Sequence, residues 1–265
     1  MALVALQVRA LSRSGAAAAF IVGTLTFGSG EIGLTLVLLA FFVPSILLSR
    51  VGRRRKKGLT DIGKAGPRDA AQVLANGGVA TLAAVVAGIG FAQGSPRWSG
   101  IAVAAFAGAY AAATADTWGT EIGTLVRGSP RSILTLRPIA TGLSGGVSLA
   151  GTVAEFAGAL WIAWVAGVAL DHLPLALRVA PWAAVVAGVS LGGVAGALAD
   201  SLLGATLQEL RACPLCERPC ETDPHHCGTP TARIRGLRGF SNDVVNACAT
   251  AVGALVATGF VLLYA

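Results

Sequence analysis

Seven apolar stretches, each near the length that crosses a bilayer, constrain this chain more than any other feature. They fall at 14–29, 32–49, 72–92, 98–115, 142–169, 176–199 and 244–264. A helix needs roughly 20 residues to cross about 30 Å of hydrocarbon, and a spanning segment must satisfy its own backbone polar groups there. Only 12% of the 265 residues are charged and 54% are hydrophobic. A soluble domain carries about a quarter charged residues, so that class is excluded. The expected fold is all-α, one polytopic membrane domain over residues 1–265 with about seven transmembrane helices. Thirty-five glycines and abundant alanine suit helices whose backbones approach closely in lipid. Pro44 is expected to kink the second span. Arg9 and Arg13 lead into the first run without a separate cleavable-signal pattern.

Basic residues sort the connecting segments. With the N-terminus inside, 18 of the 20 Lys and Arg fall on one side, and only Arg97 and Arg178 on the other. That asymmetry gives an N-in, C-out topology with cytoplasmic loops at 50–71, 116–141 and 200–243. The setting expected is a bacterial or archaeal inner membrane, with the polar site facing the cytoplasm. The net charge of +7 is then a topology signal. Membrane lipid is the expected partner of the run Arg53 to Lys57, and nucleic acid is not.

Two apolar runs 84 residues apart end alike. GAYAAATADTWGT (Gly108 to Thr120) and GGVAGALADSLLG (Gly192 to Gly204) both close on Ala-Asp followed by Thr or Ser. They read as a short parallel internal repeat, and both aspartates are expected at one face of the membrane. A carboxylate at the end of a membrane helix is costly and marks function. Asp116 and Thr120 share a face, and Glu121 follows Gly119, where the helix has room to bend. Asp200, Gly204 and Gln208 form a second stripe beside Ser201. Asn242, Asp243 and Asn246 open the last span, with Asp243 near a helix N-terminus. Magnesium takes hard oxygen ligands, usually one or two carboxylates plus substrate phosphates, so Asp116, Asp200 and Asp243 are its expected ligands. The competing reading is helix capping and interfacial solvation.

Further polar groups surround these. Asp69, Gln72 and Asn76 share one face at the start of the third span, with Gly77 and Gly78 after them. Lys64, Arg68, Arg127 and Arg131 are expected to offset phosphate charge, against the plain alternative of positive-inside loop charge. Arg137 and the stretch Thr141 to Thr152 follow; its backbone amides suit phosphate or its small residues suit tight packing. Glu155, inside the fifth span, is a secondary lead. In CPLCERPCETDPHHCG, Cys213, Cys216, His226 and Cys227 form a credible structural zinc set; free thiols and a catalytic zinc are the alternatives.

Taken in order, QVLANGG, ADTWGTEIG, TGLSGGVSLAGT, ALADSLLGATLQ, the cysteine loop and NDVVN resemble the integral-membrane family catalogued as domain of unknown function 92. Its plant members include a chloroplast phytyl-phosphate kinase. The resemblance covers about residues 14 to 264. It implies a polyprenyl-phosphate kinase that moves a phosphoryl group from a nucleotide, CTP by preference, to an isoprenyl monophosphate. It carries Asp116, Glu121, Asp200, Asn242, Asp243 and Asn246 over as the polar core and Asn76 as a motif match; Glu155 departs from the small or apolar residue expected there. Phosphoryl transfer needs positioning and charge neutralisation more than covalent participation, which these residues can supply. The rival readings are a cytidylyltransferase making a CDP-lipid and a lipid-phosphate transporter or flippase.

Overall fold

A computed structural model describes residues 1–52, 66–126, 128–170 and 180–264. Lys64 and Arg127 lie outside the described residues. A short helix α1 (Ala2–Gln7) precedes α2 (Arg13–Arg50), α3 (Ala70–Ala92), α4 (Pro96–Gly123), α5 (Leu149–Leu170), α6 (Trp182–Thr206) and α7 (Asn242–Leu262). The last six are long and apolar enough to cross a membrane.

Local chemistry sets where several begin. Ser12 Oγ accepts from the Gly15 backbone N–H at 3.1 Å and starts α2. Asp69 and Gln72 exchange bonds at 2.9 and 3.1 Å, a capping box that starts α3 and meets two otherwise orphaned N–H groups. Pro96 occupies the first turn of α4, where its missing N–H costs nothing. Asp69 and Gln72 are therefore first of all a helix start.

Helix α2 doubles back. Gly30 has φ −151° and ψ 22°, and Glu31 has φ 48° and ψ −135°, so helical geometry stops between two arms, 13–29 and 32–50. The far end returns to the beginning: Arg50 Nη2 donates to the Val8 carbonyl at 2.9 Å, and Phe42 and Ile46 pack with Ala5, Leu11 and Ala16. Six long helices thus supply seven membrane-length segments, in line with the expected 14–29 and 32–49 spans. Pro44 does not make the break, because it sits within continuous helix. The reversal falls instead at Gly30, which has no side chain, and at the left-handed Glu31.

Two expected boundaries move. The fifth helix begins at Leu149 rather than 142, because Thr141–Ser148 turns at Gly142 and Gly145, both with positive φ, and pairs β2 (Gly146–Val147) with β1 (Arg131–Ser132). The sixth runs from Trp182 to Thr206, so the membrane helix carries Asp200 well inside its last two turns.

Helix α4 is the axis of the bundle. It packs on α2, α3, α5, α6 and α7, and 83% of its apolar window is buried, about twice the share of α3, α5, α6 or α7. Glycine permits this. A Cβ at Gly108 or at Gly192 would come 2.5 Å from the same Gly253 carbonyl oxygen. One at Gly253 would come 2.6 Å from Ala112 Cβ and from the Gly108 oxygen. The equivalent glycines of the two matching runs therefore meet one point on α7, and the runs lie side by side where small residues admit backbone contact.

Between α6 and α7 the chain forms a three-stranded antiparallel sheet in the order β4–β3–β5, from β3 (Leu210–Cys213), β4 (Arg218–Cys220) and β5 (Ala232–Arg235). Arg211 ties this unit together. It bonds Glu209 at 2.6 Å, Asp223 at 2.9 Å and the Thr231 hydroxyl at 2.7 Å.

Candidate active site

Asp116 and Asp200 come from the last turns of α4 and α6, and they act on one another electrostatically. Parallel packing of the two runs through Gly108, Gly192 and Gly253 puts both carboxylates at one end of the bundle. Asp116 is in hydrogen-bonding contact with Thr120, one turn on. The third helix contributes an amide: with its side chain oriented to satisfy its neighbours, Asn246 donates to Asp200 Oδ2 at 2.9 Å and to the Asn242 carbonyl at 3.3 Å.

Glu155 joins this group from α5, acting on both Asp116 and Asp200. The reason it can enter is Gly119. A Cβ there would stand 2.6 Å from Glu155 Cγ and 2.7 Å from Oε1, so the glycine is the seat for this carboxylate and not a bend in α4, which stays helical through Gly123.

Arg68 supplies positive charge at the same place, acting on Glu121 and Asp116; its burial weakens its basicity, and those two carboxylates oppose that effect. The backbone fixes its position. Arg68 N donates to the Ala10 carbonyl and Ser12 N to the Arg68 carbonyl, both at 3.0 Å. Gly15 lies so close that any Cβ there would strike the Arg68 carbonyl oxygen.

The same arginine lines a cavity of about 160 Å³ between the α2 hairpin, α3 and α4. Val22, Leu38, Phe41 and Phe42 make its walls apolar, while Arg68, Gln72 and Asn76 also line it. Tyr110, on the wall, is fully buried, and its hydroxyl has no hydrogen-bond partner among the described residues. A Cβ on Gly77 would stand 3.4 Å from that hydroxyl.

A second polar group borders the site from the α6–α7 unit. Gln208 is buried just past the end of α6, and its Nε2 donates to Glu221 Oε1 at 2.8 Å. Ser144 Oγ donates to the same oxygen at 3.1 Å. Glu221 acts on Asp200 and on Arg235. Arg235 Nη2 donates to the Gly204 carbonyl at 2.9 Å, and burial lowers its basicity.

Asp243 stands half-buried in the first turn of α7, and one turn further in on the same helix Asn246 bonds Asp200. Arg131 is exposed and bonds the Leu136 carbonyl at 2.8 Å within its own hairpin. Asn76 Nδ2 donates to the Gln72 carbonyl at 2.9 Å and faces the cavity rather than the carboxylates. Ser201 is half-buried beside Asp200, and Thr120 and Asn242 are exposed. In the cysteine loop the histidine in the ligand group is His225, not His226. His225 is buried, whereas His226 is exposed and lies on it with ring centroids 3.9 Å apart. Glu221 gave no signal in sequence, and Ser144 stood only within the Thr141 to Thr152 stretch and Arg235 only among the basic residues of a loop, because the approach of each to α6 is a tertiary matter.

Asp116, Glu155 and Asp200 are half-buried and act on one another, and like charges so placed are relieved by a cation or by protons. Asp116 and Asp200 have the hard oxygen ligands that magnesium takes, and Glu155 adds a third.

A family model described as "Integral membrane protein DUF92" matches residues 1–254. This chain belongs to that family. The integral membrane protein is 33% identical over 254 residues to "Protein PGR" of Arabidopsis thaliana, covering 90% of this chain and 84% of that one. It is 31% identical to "Uncharacterized membrane protein MJ0933" of Methanocaldococcus jannaschii, over 78% and 79% of the two chains. It is 27% identical to "Protein VTE6, chloroplastic" of Arabidopsis thaliana, over 95% of this chain and 66% of that one. No solved structure matches it.

Proposed function

We propose that this protein is a membrane isoprenoid-phosphate kinase, transferring the terminal phosphoryl group of a nucleotide, CTP by preference, to a polyprenyl or phytyl monophosphate to give the diphosphate. One observation carries the reading: Arg68 belongs both to the carboxylate cluster and to the wall of an apolar cavity. A substrate with an apolar tail and an anionic head matches that junction. The tail would enter between the α2 arms and α3, and the head phosphate would meet a guanidinium, whose fork suits phosphate oxygens. Likeness to the chloroplast relative, and the resemblance to a family with a phytyl-phosphate kinase, support an isoprenoid tail.

Asp116, Asp200 and Glu155 would hold magnesium, which when bound neutralises nucleotide phosphate charge and fixes its geometry. Asn246 holds Asp200 in place through its amide. The acceptor phosphate is already anionic, so the reaction requires no strong general base. Cytoplasmic orientation of this end follows from the distribution of basic residues.

Purified protein incubated with labelled nucleotides, prenyl monophosphates and magnesium tests the reading. Mass spectrometry should find a prenyl diphosphate and a nucleoside diphosphate. A CDP-lipid with pyrophosphate would replace the kinase by a cytidylyltransferase. Movement of lipid phosphate in proteoliposomes without nucleotide consumption would replace both by a transporter.

A further inference from the structure

The β3–β5 unit has no apolar core. Between residues 207 and 240 the buried side chains are Gln208, Leu210, Cys213, Cys220, His225 and Thr231. One leucine cannot hold some thirty residues together in water, and small units of this kind depend on metals or disulfides. The ligand atoms of Cys213, Cys216, His225 and Cys227 all lie within 4.8 Å of one another. Cys213 and Cys227 Sγ are 3.6 Å apart, and His225 Nδ1 is 3.1 Å from Cys227 Sγ. A tetrahedral zinc with bonds of about 2.3 Å spaces its sulfurs about 3.8 Å apart, so one ion fits between these atoms with small adjustments.

We infer that Cys213, Cys216, His225 and Cys227 bind one structural zinc ion, and that this ion holds Glu221 at the mouth of the carboxylate site. The ligands come from the end of β3, the turn after it and the segment beyond β4. Glu221 sits between Cys220 at the end of β4 and the ligand His225. Strand β4 is paired with β3, which carries the ligand Cys213, so an ion that ties β3 to His225 and Cys227 fixes where Glu221 meets Gln208 and Ser144. Zinc is favoured over harder cations because three of the four ligands are sulfur. Cys220 is not a ligand; its Sγ faces the Thr222 carbonyl at 3.8 Å. Glu221 acts on the site as a positioning residue, through Asp200 and Gln208. That second clause rests on the carboxylate site of the proposed function, whereas zinc binding does not.

The test is metal content of the whole protein, purified in detergent without chelator from zinc-supplemented cells. The expected result is one zinc per chain by mass spectrometry of the metal. Cobalt in its place should show a thiolate charge-transfer band, a readout that needs no variant. Cys213→Ser and His225→Ala should lose the ion, and His226→Ala and Cys220→Ser should keep it. Removing zinc should speed amide hydrogen exchange at 207–222 by at least about tenfold, a local opening, while exchange in α4 stays unchanged. Wild-type protein without zinc, a Cys213–Cys227 disulfide in its place, or zinc retained by His225→Ala and lost from His226→Ala would each overturn the site. Unchanged exchange at 207–222 after zinc removal would overturn the positioning role. Zinc-loaded protein that forms no prenyl diphosphate would overturn only the kinase.

Discussion

Asn246 donates its side-chain amide to Asp200 at 2.9 Å across the contact between α7 and α6. The bond ties the last helix to the second of the two matching runs at the polar end of the bundle. Asp116 and Glu155 act electrostatically on the same Asp200 carboxyl group. Replacing Asn246 by Ala should keep the fold and raise the magnesium concentration for half-maximal activity severalfold, because a charge-assisted hydrogen bond of about 1.5–3 kcal/mol is lost. Titration of activity against magnesium checks this, and an unchanged curve would remove Asn246 from the site.

Asp116→Asn and Asp200→Asn should each lower turnover by on the order of 100-fold or more, since a metal's charge stabilisation contributes several kcal/mol and each 1.4 kcal/mol is tenfold. Membrane insertion and melting temperature should be retained. Near-normal turnover in both variants would end the metal-site reading. Glu155→Gln should show the same direction with a smaller loss.

Arg68 is predicted to set recognition of the lipid head. Arg68→Ala should raise KM for the prenyl monophosphate at least about tenfold, and Arg68→Lys should recover little of it, because an ammonium lacks the guanidinium fork. Gly15→Val should act in the same direction without touching the site chemistry: its side chain would collide with the Arg68 carbonyl and displace the residue. Steady-state kinetics with the lipid varied at saturating nucleotide separates this from a turnover defect. An equal loss for Gly28→Ala, where a Cβ meets nothing within 4 Å and which does not line the cavity, would count against it.

Gly253→Val should destabilise the bundle by about 1–3 kcal/mol, the usual cost of overpacking. The added methyls would meet Ala112 and the Gly108 carbonyl. Gly259→Ala, on the same helix with open space at its Cβ, should be neutral or slightly stabilising. Thermal unfolding in detergent distinguishes them, and equal melting points would argue against close contact of α4, α6 and α7.

Seven membrane-length segments, their all-helical character and the pairing of Asp116 with Asp200 were legible in the chain. Each depends on local composition or on a repeat that can be read directly: apolar length decides spanning, and parallel runs carry their ends to one side. The zinc-type cluster was legible as a spacing, but its histidine was not. His225 and His226 are adjacent, and only the turn that buries one of them decides which ring lies among the cysteine sulfurs. Asn242, Asp243 and Asn246 were all legible as polar groups opening the last span, but that the Asn246 amide meets Asp200 is a matter of how α7 packs on α6.

Sequence by itself determined that this protein lives in a membrane, how often its chain has membrane-length segments and which two aspartates share an end. The tertiary structure alone decided that Glu155 seats on Gly119, that Glu221 and Arg235 arrive from the α6–α7 unit, and that Arg68 joins an apolar cavity to the carboxylates. Spanning is a property of one segment against solvent, so composition suffices for it. A site assembled from six separated segments depends on which small residues let their backbones touch, and that is settled only when the helices pack.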